Sequence, residues 1–274
     1  MSDAASPTKF LNKILEKKRE TIKKEFADVL SEKLRDQAFE IRNKAVRDRL
    51  LRKLQNSAQT NIIAEFKRVS PSKGTINADA NPKRTAKHYV NGGAVAISVL
   101  TEAHFFGGSI KDLKAVVENI ENQIPVLCKD FILDERQIFQ AAMAGASVIL
   151  LIVAAFEKHQ ITQLENFYKL AGGLGLDALI EVHTVEEMMI AEQIGAKLIG
   201  VNNRNLQTFE VSLESSENLI KLAPPNAILI SESGIKCRED IVRLEKVGYK
   251  GFLIGETLMR AHNIEKELEK LAGK

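Results

Sequence analysis

Five charged residues of this 274-residue sequence end short apolar runs. IIAEFKRVSPSKG carries Glu65 and Lys67, PVLCKDF carries Lys129, ALIEVH carries Glu181 and AILISESGI carries Glu232. Ammonium and carboxylate groups brought within a few ångströms shift one another's pKa values, which suits donating a proton to a bound molecule and taking one from it. A second set of residues suits an anion. Ser70 and Lys73 in the first segment, Ser233 and Gly234 in SESGI, and Gly255 and Glu256 in IGETLM offer hydroxyls, a lysine and backbone N–H groups ahead of helices. Unpaired backbone donors at such turns favour phosphate. Acid–base chemistry on a small phosphorylated molecule is the class these types define, provided the fold gathers them.

The gathering elements are legible as a pattern. Eight apolar, β-branched runs occur: Ile62–Phe66, Val95–Leu100, Pro125–Cys128, Val148–Val153, Ala178–Val182, Leu198–Val201, Ile228–Ile230 and Phe252–Ile254. Between them lie helical patterns over Asp112–Asn119, Glu135–Ala144, Gln160–Ala171, Val185–Ile194, Ser215–Leu222 and Arg238–Val247. Near-continuous apolar strands alternating with amphipathic helices predict a parallel sheet covered by helices. Eight such units predict a (β/α)8 TIM barrel, with a doubly wound open sheet as the alternative. In a barrel the strand C-termini share one mouth, so Glu65, Lys67, Lys129, Glu181 and Glu232 converge. Alternation puts Glu65 and Lys67 on one side of their strand and Cys128 opposite Lys129, in the core. No Walker motif or GxGxxG is present, and Gly172, Gly173 and Gly175 read as loop.

Residues 8–60 contain no glycine or proline. Phe10, Leu11, Ile14, Leu15, Ile22 and Phe26 form one apolar stripe, and Leu34, Ala38, Ile41, Ala45 and Leu50 a second. Two helices with an apolar face that docks on the barrel are expected. The domain reading is therefore 1–60 as a helical extension packed on a catalytic barrel of 61–274, one structural domain in all. Residues 1–60 hold 15 Lys+Arg and 9 Asp+Glu, a local charge of 15 − 9 = +6, against +3 for the whole chain. The acids interleave with the bases at helical spacing, so a solvated face is expected rather than a nucleic-acid contact. No apolar run of membrane-spanning length occurs, the N-terminus lacks a signal-peptide core, and Cys128 and Cys237 are isolated, so a cytoplasmic setting is expected. His183 ends its run and is weighed as a catalytic group, while the other histidines show no metal-ligand spacing.

In the order IIAEFKRVSPSKG, ISVLTEAHFFGGS, PVLCKDFILDERQI, ALIEVHTVEE, IGVNNRNLQTFEV, ISESGI and LIGETLMR, the chain resembles the indole-3-glycerol-phosphate synthase family of tryptophan biosynthesis. The likeness runs from about residue 62 to 260 and includes a basic helical extension before the first strand. It implies a carboxy-lyase that takes 1-(2-carboxyphenylamino)-1-deoxyribulose 5-phosphate through ring closure, loss of carbon dioxide and loss of water, with no cofactor and no metal. It also implies roles. Lys129 is the general acid at the ketone oxygen, Glu181 the general base, and Glu65 a helper in proton transfer. Lys67 contacts the substrate carboxylate and is a candidate acid for dehydration. Asn202 and Arg204 hold the anthranilate carboxylate, and Glu232 binds the sugar hydroxyls. Phe131 and Leu150 line the aromatic pocket. Ser70, Ser233, Gly234, Gly255 and Glu256, the last through its backbone N–H, cradle the phosphate.

The partner expected is the phosphorylated substrate, with no nucleic acid and no membrane. A monomer is expected, with weak association with other tryptophan-pathway enzymes left open. The length leaves no room for a fused second barrel. Two rivals stand beside this reading: another phosphate-binding barrel of the same pathway, and a nucleic-acid-binding protein using the basic helices.

Overall fold

A computed structural model describes residues 8–57, 59–205 and 208–274. Residues 1–7 and Ala58 of the extension, and Leu206 and Gln207 of NNRNLQTFEV, lie outside the described residues. Eight parallel strands close a barrel: β1 Ile62–Phe66, β2 Ala96–Leu100, β3 Val126–Lys129, β4 Val148–Ile152, β5 Asp177–Val182, β6 Leu198–Asn202, β7 Ile228–Glu232 and β8 Gly251–Ile254. Each strand pairs with its sequence neighbours, and β8 returns to β1. The ring is closed, so the open-sheet alternative is set aside.

Helices α1 Thr8–Glu25, α2 Ser31–Arg42 and α3 Arg49–Asn56 precede the barrel. The outer layer is α4 Pro82–Asn91, α5 Ile110–Asn119, α6 Glu135–Met143, α7 Ile161–Gly173, α8 Val185–Gln193, α9 Glu214–Leu219, α10 Arg238–Val247, α11 Glu256–Arg260 and α12 Ile264–Ala272. Local chemistry starts these helices: Ser109, Thr184 and Asn263 each accept a first-turn backbone N–H, and Asp134 with Gln137 forms a capping box. Gly93, Gly145, Gly175, Gly195 and Gly248 are all left-handed, at the turns that lead from helix into β2, β4, β5, β6 and β8. A left-handed residue reverses the chain there with no Cβ penalty, so the same turn recurs around the barrel.

Several expectations need correction. The extension is three helices, because the chain breaks again between Arg42 and Arg49. Ile41 of the second stripe faces solvent, and only Ala38 of α2 is buried. Gly172 and Gly173 are the last turn of α7, not loop. Helices α4 and α12, flanking β1 and β8, were not anticipated; Asn81 followed by Pro82 marks the start of α4, a cap with proline at the first position.

The first stripe docks as its spacing demands. Ile14, Leu15, Ile22 and Phe26 are buried against the barrel, each stabilising by about 1.5–3 kcal/mol. Most of the described basic residues of the extension face solvent, as expected, while three arginines bond the barrel. Arg42 donates to the carbonyls of Leu174 and Gly175, Arg47 to Gly172, and Arg49 to Asn122 and Ser147. Asp177 accepts the backbone N–H of Leu50 and so anchors the start of α3 beneath the barrel. Among the described residues no helix is long and apolar enough to cross a membrane.

Candidate active site

The strand register sets the ring of polar groups at the mouth. Asn202 lies opposite Glu232, and Glu181 opposite Gly200 on one side and Ile152 on the other. β3 runs one residue further than expected, so Lys129 belongs to the strand and its backbone is fixed by the ladder. Likewise β7 runs through Glu232. Glu65, Lys129, Glu181 and Glu232 are thus held by sheet, and Lys67 directly follows β1.

Lys129 is the hub. Its Nζ lies 2.5 Å from Glu232 Oε2 and 3.4 Å from Glu181 Oε2. Lys67 pairs with Glu65 on β1. Glu65, Glu181 and Glu232 are almost wholly buried. Burial works against the charge of Lys129, yet Glu232, Glu181 and Glu65 outweigh it and raise its pKa. Burial also works against Glu181, but Lys129, His183 and Asn202 hold its carboxyl down at about 2. Glu232 goes the other way, up to about 7, because burial and the negative charge of Glu181 exceed the pull of Lys129. Two carboxylates sharing one lysine are therefore driven apart in acidity, as acid–base sites require. Glu232 Oε1 is buried with no hydrogen-bond partner.

Two absent side chains make room for this cluster. A Cβ on Gly200 would sit 2.1 Å from Glu232 Oε1, and one on Gly255 2.5 Å from Glu65 Oε1. Gly200→Ala is expected to displace Glu232 and lower kcat by about 10²-fold, the cost of an ångström of misplacement. Steady-state kinetics with a thermal melt check it; an unchanged kcat would show that Glu232 needs no such fit.

Above the cluster opens a cavity of about 620 Å³. All fourteen anticipated site residues line it: Glu65, Lys67, Ser70, Lys129, Phe131, Leu150, Glu181, Asn202, Arg204, Glu232, Ser233, Gly234, Gly255 and Glu256. Asn202 donates to Glu181 Oε1 at 3.1 Å and accepts the backbone N–H of Arg204, which ties the acid–base group to the NNRN turn. The Arg204 guanidinium donates to the carbonyl of Phe209. Ser233 and Gly234 are consecutive left-handed residues, at φ 66 and 86, and form a sharp turn straight off β7. The Glu256 side chain pairs with Arg260, so its backbone is the part left for an anion.

The structure adds residues that spacing did not reveal as part of the site. Phe10, Leu11 and Ile14 of α1 wall the cavity, with Phe106, Phe209, Lys236 and Arg260. Phe10 meets Phe105 and Phe209 edge-on at 5.7 and 4.9 Å, and Phe106 faces Phe131 at 6.3 Å. Lys18 of α1 reaches Asp130, next to Lys129, at 2.6 Å. The apolar stripe signalled docking, but nothing local said that its first residues reach the mouth. Deleting residues 1–45 should lower the melting temperature by about 10 °C or more and raise KM about tenfold through loss of the apolar wall. Full activity and stability in the truncated protein would contradict that use of α1.

His183 does not line the cavity. It lies behind Glu181, between it and Glu187. Cys128 is a core thiol, its pKa pushed up to about 12 by burial and then by Asp130, and so unreactive. Among the described residues no group of His, Cys, Asp and Glu is arranged to hold a metal ion.

A (β/α)8-barrel enzyme with its acid–base groups gathered at the C-terminal mouth is the class that fold and site define. Solved barrels are similar in fold: 3-hexulose-6-phosphate synthase from Salmonella typhimurium superposes with a TM-score of 0.63 at 14% identity, covering 78% of this chain and 97% of its own. Thiamine phosphate pyrophosphorylase from Pyrococcus furiosus does so at 0.58 and 18%, covering 81% and 95%. The family model described as Indole-3-glycerol phosphate synthase matches residues 11–271. Indole-3-glycerol phosphate synthase of Listeria monocytogenes serovar 1/2a (strain EGD-e) is 44% identical over 92% of this chain and 93% of its own. That of Lachnoclostridium phytofermentans is 52% identical over 74% and 73%. The chain belongs to the indole-3-glycerol phosphate synthase family.

Proposed function

We propose that this cavity converts 1-(2-carboxyphenylamino)-1-deoxyribulose 5-phosphate to indole-3-glycerol phosphate, with Lys129 and Glu181 as acid and base. Membership of the family makes the chain a carboxy-lyase of tryptophan biosynthesis. The observation that carries the residue assignment is the placement of Lys129 between Glu181 and Glu232, beneath a cavity rimmed by the SPSKG and SESGI loops.

The ring carbon bearing the carboxylate attacks the ketone carbon. A C–C bond forms, the carbonyl electron pair moves to oxygen, and that oxygen takes a proton from Lys129 Nζ. Lys129 is held firmly protonated by its neighbours, and a nascent alkoxide is a stronger base than an amine, so transfer becomes favourable as the bond forms. The carboxylate carbon then leaves as carbon dioxide, and its bonding pair restores the aromatic ring. The new hydroxyl departs as water with a second proton, which we assign to Lys67, the partner of Glu65. Glu181 removes a proton from the adjacent carbon. Two protons are given and one is taken, which matches loss of a carboxylate as neutral carbon dioxide.

The substrate carries anions at both ends, so it needs two grips. We assign the phosphate to Ser70, Ser233, Gly234, Gly255 and the backbone of Glu256, and the carboxylate to Lys67, Arg204 and Asn202. Glu232 receives the sugar hydroxyls, and Phe131 and Leu150 the anthranilate ring. Residues 1–60 serve the barrel of 61–274 as wall and support, the reaction runs on protein side chains alone, and a monomeric cytoplasmic enzyme fits the free thiols Cys128 and Cys237. Incubation with the anthranilate-derived ribulose phosphate tests this directly. Indole absorbance and fluorescence should rise with release of carbon dioxide; their absence with competent substrate would reject the assignment.

A further inference from the structure

We propose that His183, held by Glu187, is a positioning residue that orients the Glu181 carboxylate toward the substrate. The proposal rests on Glu181 being the base. His183 Nε2 lies 3.3 Å from Glu181 Oε1, and its Nδ1 lies 3.2 Å from Glu187 Oε2. Glu187 is itself pinned: it accepts the backbone N–H of His183 at 2.7 Å, and its own N–H is held by Thr184 at the start of α8. The imidazole is thus fixed at its Nδ1 end with Nε2 aimed at Glu181, and it is nearly buried, with a side-chain exposure of 10%. Its Nε2 is buried and makes no hydrogen bond, so its approach to Glu181 is an ion-pair contact. Such contacts tighten when substrate fills a site.

Charge explains why a histidine suits this place. Glu181 and Glu187 face the ring, and together they outweigh burial and raise its pKa to about 10. The ring is therefore an imidazolium at neutral pH, with donors on both nitrogens. Glu181 in turn faces Lys129, His183, Asn202 and the carboxylate of Glu232. Lys129 approaches Oε2, whereas His183 and Asn202 hold Oε1. When Lys129 gives its proton away, its hold on Glu181 weakens at the moment the base must stay ionised. A second cation, outside the cavity and unreacting, keeps the carboxylate in place through that step.

The test compares His183→Gln, His183→Ala and Glu187→Gln with Glu181→Gln. Glutamine retains a donor near the Nε2 position without the charge. His183→Gln should lower kcat about tenfold with KM little changed, and shift the acid-side fall of kcat upward by about one pH unit, since removing an opposite charge raises a carboxyl pKa. His183→Ala should lose more, so that glutamine is a partial rescue. Glu187→Gln, which keeps both acceptor contacts, should give a smaller shift of the same sign. Histidine-labelled enzyme should show one of its five imidazoles still doubly protonated at pH 8 by NMR, and that signal should vanish in His183→Gln. If Glu181→Gln is inactive while His183→Gln and Glu187→Gln leave kcat and its acid limb unchanged, the inference is overturned and the base assignment stands. Equal losses in glutamine and alanine variants with no limb shift would mark mere packing and overturn it too. Should the His183 variants fail to fold, an unmoved limb in Glu187→Gln decides against it. Full activity in Glu181→Gln would instead remove the base assignment itself.

Discussion

Lys129→Ala is expected to abolish turnover, with kcat down about 10³-fold or more, while a phosphate-bearing product analogue still binds. The ketone is a weak electrophile for an aniline ring until its oxygen can be protonated, and among the described residues Lys129 is the ammonium that pairs with both Glu181 and Glu232. The partners of the Lys129 ammonium are Glu181 and Glu232, not the assigned phosphate ligands Ser70, Ser233, Gly234 and Gly255, so the grip is expected to survive. Stability should respond to pH as well. The depressed pKa of Glu181 contributes stability that is present above the ordinary glutamate value and lost as pH falls toward about 2. Removing its first counter-charge weakens that contribution, so the variant should unfold at higher pH than the parent in an acid titration. Stopped turnover with retained analogue binding supports the acid role; retained turnover removes it.

Glu181→Gln is the second large effect, a loss of about 10²–10⁴-fold in kcat at little change in KM. The substitution preserves shape, and Asn202, His183 and Lys129 stay as neighbours. What disappears is the capacity to take a proton from carbon during dehydration. Glu181 keeps its charge far below neutrality, so the wild-type base is ready throughout the physiological range. Glu232, buried and raised to about 7, shares Lys129 without being equivalent. If Glu181→Gln and Glu232→Gln exchanged these phenotypes, the acidities would have been assigned to the wrong partners.

Most of the site is legible at the strand ends of the sequence. Glu65, Lys67, Lys129, Glu181 and Glu232 each follow an apolar run, and a closed barrel leaves one place for them to meet. The fold itself was legible because near-continuous apolar runs and helical stripes alternate, and the motifs from IIAEFKRVSPSKG to LIGETLMR carry the family likeness. Other parts depended on contacts between remote segments. Phe10 becomes site wall only because α1 lies across the mouth against Phe105 and Phe209. Gly200 looked like one more strand residue, yet its missing Cβ is the space Glu232 Oε1 occupies. The third helix of the extension was hidden because no glycine or proline marks the break after Arg42. His183 was visible only as the end of its run, and its place between Glu181 and Glu187 depends on which way the chain turns after β5.

Co-crystallisation with indole-3-glycerol phosphate measures the arrangement on which acid, base and phosphate roles all depend. The phosphate should sit among Ser70, Gly234 and Gly255, the indole against Phe131 and Leu150, with Lys129 Nζ and Glu181 on opposite flanks of the ring atoms that react. A product seated elsewhere, or one that leaves Lys129 and Glu181 without contact on a common ligand, would contradict the catalytic account.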